Sequence, residues 1–290
     1  MRIGVTGPRG FTASRLIPRL VEAGHDVVGI SRPPRGDAYH DPQWRIADVS
    51  DASSVVGAFD GLDVVFHLAG IAHAPNILGE LLRSGTKRAV FVGSTGIYTR
   101  LHSPDADLKR TAEGAIMRAP LDWTVIRPTM IYGTGRDRNM IRLLRWLRRV
   151  PVFPAPGGAS TLQQPVHVDD LCSALLACLD GSASVRQVYD IGGPTPIPLS
   201  MVIGDAGKAL GRRTFTLPIP TRPAYHAVRG LRAVGLPCPV WPEQILRLKE
   251  HKSVSIESAV RDLGFMPRSF AVGIRDEVLL LRSGSDHAGH

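Results

Sequence analysis

Small residues at a spacing of three follow an apolar run near the N-terminus. Gly7, Gly10 and Ala13 come directly after the apolar residues 3–6. A helical pattern opens there and ends at Gly24. In such a turn the first glycine permits a tight bend, the second lets the backbone approach a pyrophosphate, and a small third residue lets the helix pack on the strand. Since the N–H groups of a helix N-terminus also attract phosphates, the spacing predicts a dinucleotide-binding turn.

The end of the second predicted strand would meet the ribose on the adenine side of such a dinucleotide. No acidic residue follows this strand directly; Ser31, Arg32 and Arg35 lie there instead, and Arg9 lies in the glycine turn. Arginine pairs well with a 2′-phosphate, which a carboxylate would repel. We therefore predict NADP rather than NAD as the cofactor. The alternative is that Arg32 stacks on the adenine of either cofactor.

Predicted strands and helices alternate through the first half of the chain and must position these residues. The strands cover residues 3–6, 27–30, 44–47, 63–68, 88–92 and 123–127, the helices between them include residues 53–59, 77–83 and 107–118, and a loop rich in Pro and Gly follows at residues 150–158. Such alternation predicts a parallel sheet with right-handed crossovers. The predicted fold class is therefore α/β: a Rossmann-type, doubly wound parallel sheet with a smaller, mostly C-terminal substrate-binding part.

The alternation weakens after residue 135, and this sets the expected domains. Residues 1–135 are predicted to form a nucleotide-binding core, to which residues 161–193 return. Residues 136–160 and 194–282 are predicted to form the substrate-binding part. The tail at residues 283–290 is expected to be disordered.

The composition is that of an ordinary soluble globular protein. Of the 290 residues, 43% are hydrophobic and 21% are charged, which argues against disorder. The formal net charge is +9, and four arginines gather in residues 142–149. This run is interpreted either as a solvated helix face or as a phosphate-binding surface. Since few aromatic residues are interleaved with the basic ones, we expect no nucleic-acid partner.

Cysteine usage and hydropathy bear on the compartment. Cys172, Cys178 and Cys238 are too few and too irregular for a disulfide framework or a zinc site, so no metal is expected. The first strand begins too early for a signal peptide, and no apolar run reaches the length of a membrane span. These features predict a reducing, cytoplasmic location.

Further motifs occur in a fixed order along nearly the whole chain. They are Thr6-Gly7-x-x-Gly10-Phe11, Asp48-Val49, His67-Leu68-Ala69-Gly70, Gly93-Ser94-Thr95-Gly96-Ile97-Tyr98, Arg127-Pro128, Ile131-Tyr132-Gly133, Val166-His167-Val168-Asp169-Asp170, Tyr189-Asp190-Ile191-Gly192-Gly193 and Leu263-Gly264-Phe265-x-Pro267. In this order they resemble the extended, atypical short-chain dehydrogenases/reductases of the NAD(P)-dependent epimerase/dehydratase type. The resemblance is specific for the fold and for cofactor binding, and it names no substrate.

The resemblance implies where each part of the cofactor would lie. Gly7, Gly10 and Phe11 would line the pyrophosphate, Asp48 and Val49 the adenine, Leu68, Ala69 and Gly70 the adenine-side ribose and phosphate, and Arg127, Pro128 and Thr129 the nicotinamide amide. Lys109 would bond the nicotinamide ribose. Ser94 would hydrogen-bond the reacting hydroxyl or carbonyl group.

The chain departs from the family where a catalytic tyrosine normally stands, four residues before the lysine. Asp105 occupies that position. In the family, the nearby ammonium and the nicotinamide charge lower the pKa of the tyrosine toward neutrality. A carboxylate beside the same lysine stays ionised and is a poor acid and a weak base. Tyr98 is the best catalytic substitute by residue type, with Tyr132 and His102 as further candidates; the alternative for Tyr98 is an ordinary structural tyrosine.

Hypotheses from different functional classes follow. The first is an NADP(H)-dependent oxidoreductase or epimerase/dehydratase-like enzyme acting on a nucleotide-activated sugar or a similar polar substrate, with His167, Arg138 and Arg212 as candidate substrate contacts. The second is an atypical member that binds NADP(H) as a structural or sensory ligand without turnover. A third is a protein of the membrane surface that uses the basic, Pro-rich residues 222–252.

The resemblance also bears on the oligomeric state. Extended members of the family often pair through a four-helix interface. In this chain the predicted helices at residues 77–83 and 107–118 would supply that interface, so the resemblance implies a homodimer.

Overall fold

The computed structural model describes residues 1–32, 44–137, 139–233 and 242–282, without the side chains of residues 242–244. Its strands are β1 (Arg2–Thr6), β2 (Asp26–Ser31), β3 (Trp44–Ile46), β4 (Val64–His67), β5 (Arg88–Val92), β6 (Asp122–Pro128), β7 (Ile131–Tyr132), β8 (Val152–Pro156), β9 (Leu162–Gln163), β10 (Val166–His167), β11 (Gln187–Ile191), β12 (Ile197–Pro198) and β13 (Phe215–Ile219). Its α-helices are α1 (Ala13–Glu22), α2 (Ala74–Arg83), α3 (Pro104–Arg118), α4 (Met140–Arg149), α5 (Val168–Ala177), α6 (Leu199–Ala209), α7 (Thr221–Ala233), α8 (Pro242–Arg247), α9 (Glu257–Leu263) and α10 (Phe270–Arg282). Short 3₁₀ helices lie at Ile71–His73, Thr95–Tyr98 and Ser182–Ser184.

Seven strands form one sheet in the order β3-β2-β1-β4-β5-β6-β11. Every neighbouring pair in it is parallel. The order reverses between β1 and β4, so the crevice outside the carboxyl ends of these strands is where such a sheet binds ligands. The central strands are buried, as expected where helices cover both faces. The predicted α/β, Rossmann-type fold class is confirmed.

Helix α1 follows the glycine turn and covers the sheet. Its buried residues Ala13, Leu16 and Leu20 recur at the spacing of one helical face. The helix ends just before Gly24, whose φ of +79° is a left-handed conformation that glycine adopts without strain. The strand–helix–strand unit therefore presents the turn at the carboxyl edge of β1.

The chain folds as two compact units, each with its own apolar core. The first comprises Met1–Pro128, Val168–Ile191 and Ser255–Met266, and the second comprises the described parts of Thr129–His167, Gly192–Val254 and Pro267–His290. Phe59 and Phe91 belong to the first core. Leu144, Ile203 and Ile274, from α4, α6 and α10, belong to the second.

The bounds of these units differ in part from the expected domains. Residues 255–266, expected in the substrate-binding part, belong to the first unit, because α9 packs against β11 and α5. Residues 129–135 and 161–167, expected in the nucleotide-binding core, belong to the second unit, where β7 pairs with β10. The functions assigned to the two parts stay predictions.

Residues 53–59 form turns, so the helix predicted there was wrong. The N–H and hydroxyl of Ser53 both donate to the Asp51 carboxylate at 2.8 Å. Such local bonds compete with a helical ladder. Gly57 has φ of +76°, which a right-handed helix does not allow.

Residues 150–158 contain β8, so the loop predicted there was also wrong. This strand pairs in parallel with β13. A strand with one neighbour accommodates Pro154 and Pro156, because a proline N atom can face away from the partner. The partner strand lies about sixty residues later in the sequence, so local composition alone did not indicate it.

Within residues 1–32, 44–137, 139–233 and 242–282, no helix is both long enough and apolar enough to cross a membrane.

Candidate cofactor and active site

The glycine turn lies at the crevice between β1 and β4. Gly7 has φ of +67°, and a Cβ atom on it would lie 3.2 Å from the Cα of Ala69. Gly10 donates its N–H to the Gly7 carbonyl at 2.9 Å, and a Cβ on Gly10 would lie 3.1 Å from that carbonyl oxygen. No side chain therefore covers the backbone at Gly7 and Gly10, shortly before α1 begins at Ala13. This arrangement fits the phosphates of a dinucleotide, with Phe11 in the same turn.

A buried hydrogen-bond network joins the ends of β1 and β4. The Thr6 hydroxyl oxygen accepts the N–H groups of Leu68 at 3.1 Å and Ala69 at 3.3 Å. Its single proton is then directed to Nδ1 of His67, 2.9 Å away. The other ring nitrogen, Nε2, donates to the Gly70 carbonyl at 3.0 Å. This assignment gives His67 the neutral Nε2–H tautomer.

Burial explains why His67 stays neutral. The side chain is fully buried, and burial lowers the pKa of its imidazole to about 4. An uncharged His67 thus holds the segment at the end of β4, which contains the predicted cofactor residues Leu68, Ala69 and Gly70. The motif around His67 was visible in the sequence, but the role of Thr6 was not.

The end of β2 brings three of the predicted cofactor residues together. Nη2 of Arg9 donates to Oγ of Ser31 at 2.9 Å and to the carbonyl of Arg32 at 2.6 Å. The Arg9 guanidinium also lies 5.9 Å from the ring centre of Trp44. Arg9 and Arg32 are exposed, so this edge presents positive charge to solvent. Arg35, which was predicted to join them, lies outside the described residues.

The predicted adenine contacts, Asp48 and Val49, follow β3. Val49 is buried, and its carbonyl accepts from Nδ2 of Asn76 at 3.1 Å. Asp48 accepts the hydroxyl of Ser50 at 2.7 Å and its N–H at 2.9 Å. These hydrogen bonds, with a smaller contribution from Arg32, hold the pKa of Asp48 below its usual range. Asp48 is therefore ionised in the segment that follows β3.

Ser94 stands at the end of β5. Its Oγ accepts the N–H of Gly96 at 3.0 Å and starts a 3₁₀ helix. The next residue, Thr95, donates its hydroxyl to the Pro128 carbonyl at 3.3 Å, which links the ends of β5 and β6. The Ser94 oxygen acts as an acceptor in this contact, so its proton can be donated to a substrate oxygen. Thr129 begins the second unit, where its hydroxyl donates to the carbonyl of Gln164.

Four side chains form a hydrogen-bonded chain at the ends of β6 and β11. Arg127 and Asp190 are register partners in those strands. The Tyr98 hydroxyl donates to Oδ2 of Asp190 at 2.8 Å and accepts from Nη1 of Arg127 at 2.8 Å. Nε of Arg127 donates to Oε2 of Glu113, a buried residue of α3, at 3.0 Å. Sequence reasoning placed Arg127 near the nicotinamide but missed Glu113 and Asp190, although Asp190 stands inside a family motif.

This environment keeps the proton on Tyr98. Burial, with the hydrogen bond to Asp190 and its charge, raises the pKa of Tyr98 to about 12. Burial likewise raises the pKa of Asp190. A tyrosine that works as a base beside a lysine needs a lowered pKa, so the effect here is the opposite. At neutral pH, Tyr98 therefore stays protonated, and its raised pKa makes it a weaker acid than an ordinary tyrosine.

Lys109 is paired with the aspartate that replaces the family tyrosine. Nζ of Lys109 lies 2.6 Å from Oδ2 of Asp105, one helical turn earlier in α3. The Ser103 side chain caps this helix by accepting the N–H of Ala106. Because an ammonium has three donors, Lys109 can keep this ion pair and still bond a ribose hydroxyl.

The remaining candidates are scattered. Tyr132 is fully buried in the second core, 5.2 Å from the ring of His167, which is 2% exposed. Neither presents a surface to a substrate in this conformation. Arg212 donates to carbonyls at the end of α4, and His102 is exposed. Arg138, a predicted substrate contact, lies outside the described residues.

The first half of the chain is similar to a known protein family. Residues 7–145, which contain the glycine turn, Ser94 and Lys109, match a family model described as NAD(P)H-binding. The first half of the chain is therefore similar to an NAD(P)H-binding domain, and its fold is that of the extended short-chain dehydrogenases/reductases. The matched family model supports a nicotinamide dinucleotide as the cofactor class.

The proteins to which this chain is similar differ widely in length. An uncharacterised protein of Mycobacterium tuberculosis is 33% identical over 219 residues, which cover 72% of this chain and 24% of that protein. The chain thus spans about a quarter of the length of that relative. The mitochondrial NADH dehydrogenase (ubiquinone) 1 alpha subcomplex subunit 9 of Arabidopsis thaliana is 26% identical over 286 residues, covering 89% of this chain and 70% of that protein.

Solved structures share the fold at low sequence identity. The UDP-glucose 4-epimerase of Thermotoga maritima, solved with UDP-glucose, has a TM-score of 0.74 at 18% identity. The match covers 98% of this chain and 99% of that chain. At this identity the likeness shows the fold and no more.

Proposed function

We propose that the chain is an NADP(H)-dependent oxidoreductase or epimerase/dehydratase-like enzyme that acts on a nucleotide-activated sugar or a similar polar substrate. The observation that carries the proposal is the carboxyl edge of the parallel sheet in the first unit. The glycine turn, the arginines at the end of β2, and Ser94 all follow strands on this edge. A parallel sheet of this order binds its ligand at that edge.

The residues present would hold a dinucleotide that carries a 2′-phosphate. Gly7 and Gly10 would face the pyrophosphate, while Arg9, Ser31 and Arg32 would surround the 2′-phosphate. Charge-assisted hydrogen bonds from two guanidinium groups favour a phosphate there. The contacts between Arg9 and Ser31 support NADP(H) over NAD(H), and Arg35 remains a proposed further contact.

Bound nicotinamide supplies or accepts a hydride in this family's chemistry. Ser94 would donate a hydrogen bond to the substrate oxygen, and Lys109 would orient the ribose. Tyr98 would be the proton donor once its hydroxyl turns from Asp190 to the substrate, because in this conformation its one proton is donated to that carboxylate. Before that turn, Arg127 and Asp190 would hold that hydroxyl in one orientation.

The substrate class rests on charge and on a related fold. Residues 139–167 and 192–233 of the second unit contain ten arginine or lysine residues and one acidic residue, Asp205. Such a balance suits a substrate with a diphosphate group. The Thermotoga epimerase with this fold was solved with a nucleotide sugar, which supports the same class for this chain.

A second candidate function is NADP(H) binding without turnover. Two observations favour it: an aspartate paired with Lys109 stands in place of the family tyrosine, and the pKa of Tyr98 is raised. A curated relative is a subunit of mitochondrial NADH dehydrogenase. In this role the cofactor would stabilise or signal, and no substrate would be converted.

Calorimetric titration of the cofactor-stripped protein with NADPH, NADP, NADH and NAD tests the cofactor. We expect NADP(H) to bind at least about tenfold more tightly than NAD(H), which is about 1.4 kcal/mol. Arg9→Ala and Arg32→Ala should remove this preference, whereas Arg118→Ala, an exposed arginine on α3, should keep it. A preference for NAD would overturn the choice of cofactor and leave the fold unaffected.

Turnover separates the two candidate functions. With nucleotide sugars as substrates, Ser94→Ala should abolish turnover and leave NADP(H) affinity unchanged, while Ser200→Ala, an exposed serine of α6, should change neither. Tight NADP(H) binding without conversion of any of these substrates would favour the non-catalytic function.

A reducing cytoplasm is part of the same proposal. Cys172 and Cys178 are free and buried, and burial raises the pKa of both thiols to about 12. Protonated, buried thiols of this kind suit a compartment in which disulfides do not form.

A further inference from the structure

The net positive charge of this chain is concentrated in one part of the sequence. Residues 139–167 and 192–233, all in the second unit, carry ten arginine or lysine residues and one acidic residue. Their formal charge therefore equals the +9 of the whole chain, and the rest of the chain is balanced. The single acid, Asp205, is 13% exposed and pairs with Lys208 at 3.0 Å. The outer surface of this region is thus almost free of negative charge.

Helix α4 orders several of these cations on one face. Its residues Met140, Ile141, Leu144 and Leu147 are buried in the second core. The arginines between them are exposed, because they fall on the opposite side of the helix.

The segment before β13 lies against the end of this helix. Nη1 of Arg212 donates to the Leu147 carbonyl at 3.2 Å, and the N–H of Phe215 donates to the Pro151 carbonyl at 2.9 Å. We call the combined area the α4–β13 surface. Its exposed residues are Arg142, Arg145, Trp146, Arg148, Arg149, Val150, Arg212, Arg213, Phe215 and Leu217.

Large apolar side chains are exposed among these cations. Phe215 is 62% exposed and Leu217 is 54% exposed. They stand two residues apart on β13, so they share one face of the strand. Trp146 is 44% exposed, and its Nε1 already donates to the Val152 carbonyl at 3.0 Å. The indole N–H therefore has its partner, and the exposed part of the ring is apolar.

Exposed arginines and exposed apolar side chains on neighbouring elements suit the interface of an anionic bilayer. Guanidinium groups bind lipid phosphates, while Trp, Phe and Leu enter the boundary between headgroups and acyl chains. A nucleic acid would satisfy the arginines but would offer little to Leu217 and Val150. A diphosphate substrate would likewise leave the exposed apolar residues in water.

We propose that the α4–β13 surface binds peripherally to a membrane rich in anionic lipid. The arginines supply attraction to the headgroups, and Trp146, Phe215 and Leu217 supply the apolar contact. The proposal does not depend on the proposed enzymatic function. It also places the membrane contact on α4 and β13, and not on residues 222–252, part of which lie outside the described residues.

Vesicle sedimentation tests the proposal. The full-length protein is mixed with vesicles of phosphatidylcholine alone or of phosphatidylcholine with about one third phosphatidylglycerol. We expect at least about tenfold tighter binding to the anionic vesicles, weakened by salt. Arg142→Gln/Arg149→Gln/Arg213→Gln should reduce this binding at least about tenfold. A matched variant, Arg15→Gln/Lys87→Gln/Arg118→Gln, loses the same charge from exposed sites in the first unit and should bind like the wild type.

Further experiments test the apolar contact and the alternative partner, duplex DNA. Phe215→Thr/Leu217→Thr keeps β propensity and should weaken vesicle binding without reducing its dependence on salt. The fluorescence of Trp146, isolated by comparison with Trp146→Phe, should shift to the blue on anionic vesicles. Equal losses in the two triple-glutamine variants, no binding to anionic vesicles, or tighter binding to duplex DNA than to the vesicles would each overturn the proposal.

Discussion

Asp190 is the charged group that contributes to keeping the proton on Tyr98. Burial and this carboxylate together raise the pKa of Tyr98 to about 12. Asp190→Asn removes the charge and leaves the burial, so we expect the pKa of Tyr98 to fall toward the ordinary value for tyrosine. The ultraviolet absorbance of tyrosinate, titrated against Tyr98→Phe, measures the change.

Asp180→Asn is the control for this titration, because Asp180 is exposed. It should leave the Tyr98 titration unchanged. If Asp190→Asn also leaves it unchanged, the carboxylate does not control the tyrosine. If the protein is catalytic, the same variant should move the alkaline limb of its pH–rate profile to lower pH.

His67 makes folding stability depend on pH at the acid end. The imidazole has a pKa of about 4 in the folded chain, below the ordinary histidine value of 6.5, so the unfolded state binds the proton first as pH falls. Stability should therefore be lost between pH 6.5 and about 4, by about 3 kcal/mol from this group. Urea unfolding followed by circular dichroism at a series of pH values measures it.

Variants isolate the histidine from the other titrating groups. His67→Gln should lose less stability than the wild type over this range, whereas His102→Gln, at an exposed site, should follow the wild type. Titration of the His67 ring protons by NMR gives the pKa in the wild-type protein itself. A ring that titrates near pH 6.5 would contradict the buried, neutral assignment.

At the scale of elements, a buried carboxyl group connects α10 to the loop after β7. Glu277 accepts the N–H groups of Gly133 and Gly135 and faces Asp137, which caps α4 through the N–H of Met140 at 2.6 Å. Burial, with the hydrogen bond to Asp137 and its charge, raises the pKa of Glu277 to about 8. The folded second unit therefore keeps a proton on the Glu277 carboxyl group at neutral pH.

The pH dependence from Glu277 has the opposite sign to that from His67. A carboxyl that keeps its proton in the folded state loses stability as pH rises, here from about 4.5 to about 8. Glu277→Gln mimics the protonated form, so we expect a shallower decline over this range. Glu22→Gln, at an exposed site on α1, is the control. Identical slopes in all three proteins would show that Glu277 does not hold this proton.

The elements also show what local sequence could predict. The glycine spacing and the strand ends predicted the β1 turn and the carboxyl edge where a cofactor is proposed to bind, because each depends on neighbours within one strand–helix–strand unit. The chain of Tyr98, Arg127, Glu113 and Asp190 was not predictable in the same way. It joins residues from β6, β11, α3 and a 3₁₀ helix, and only the packed sheet brings them together.

The family resemblance predicts a homodimer. The two helices that would form its interface, α2 and α3, expose apolar residues. Leu82 of α2 is 44% exposed, and Leu108 and Met117 of α3 are 61% and 40% exposed. If these helices form the dimer interface, Leu108→Glu should convert a dimer to a monomer. Light scattering after size-exclusion chromatography measures the mass.

Leu279→Glu is the matched control for the dimer, since Leu279 of α10 is 62% exposed in the second unit. It should leave the mass unchanged. A wild-type protein that is already a monomer would remove the interface predicted from the resemblance. A dimer that survives Leu108→Glu would place the interface elsewhere.

The discontinuity of the first unit has a consequence for synthesis on the ribosome. Residues 1–128 supply six of its seven strands. The seventh strand, β11, is made only after residues 129–167, and α9 is made only after residues 192–254. Until β11 arrives, β6 presents an open strand edge, which is a template for pairing with another chain. The nascent protein therefore passes through a stage at which the first unit lacks its last strand, and a chain terminated between residues 192 and 254 would pair β6 with β11 but would still lack α9.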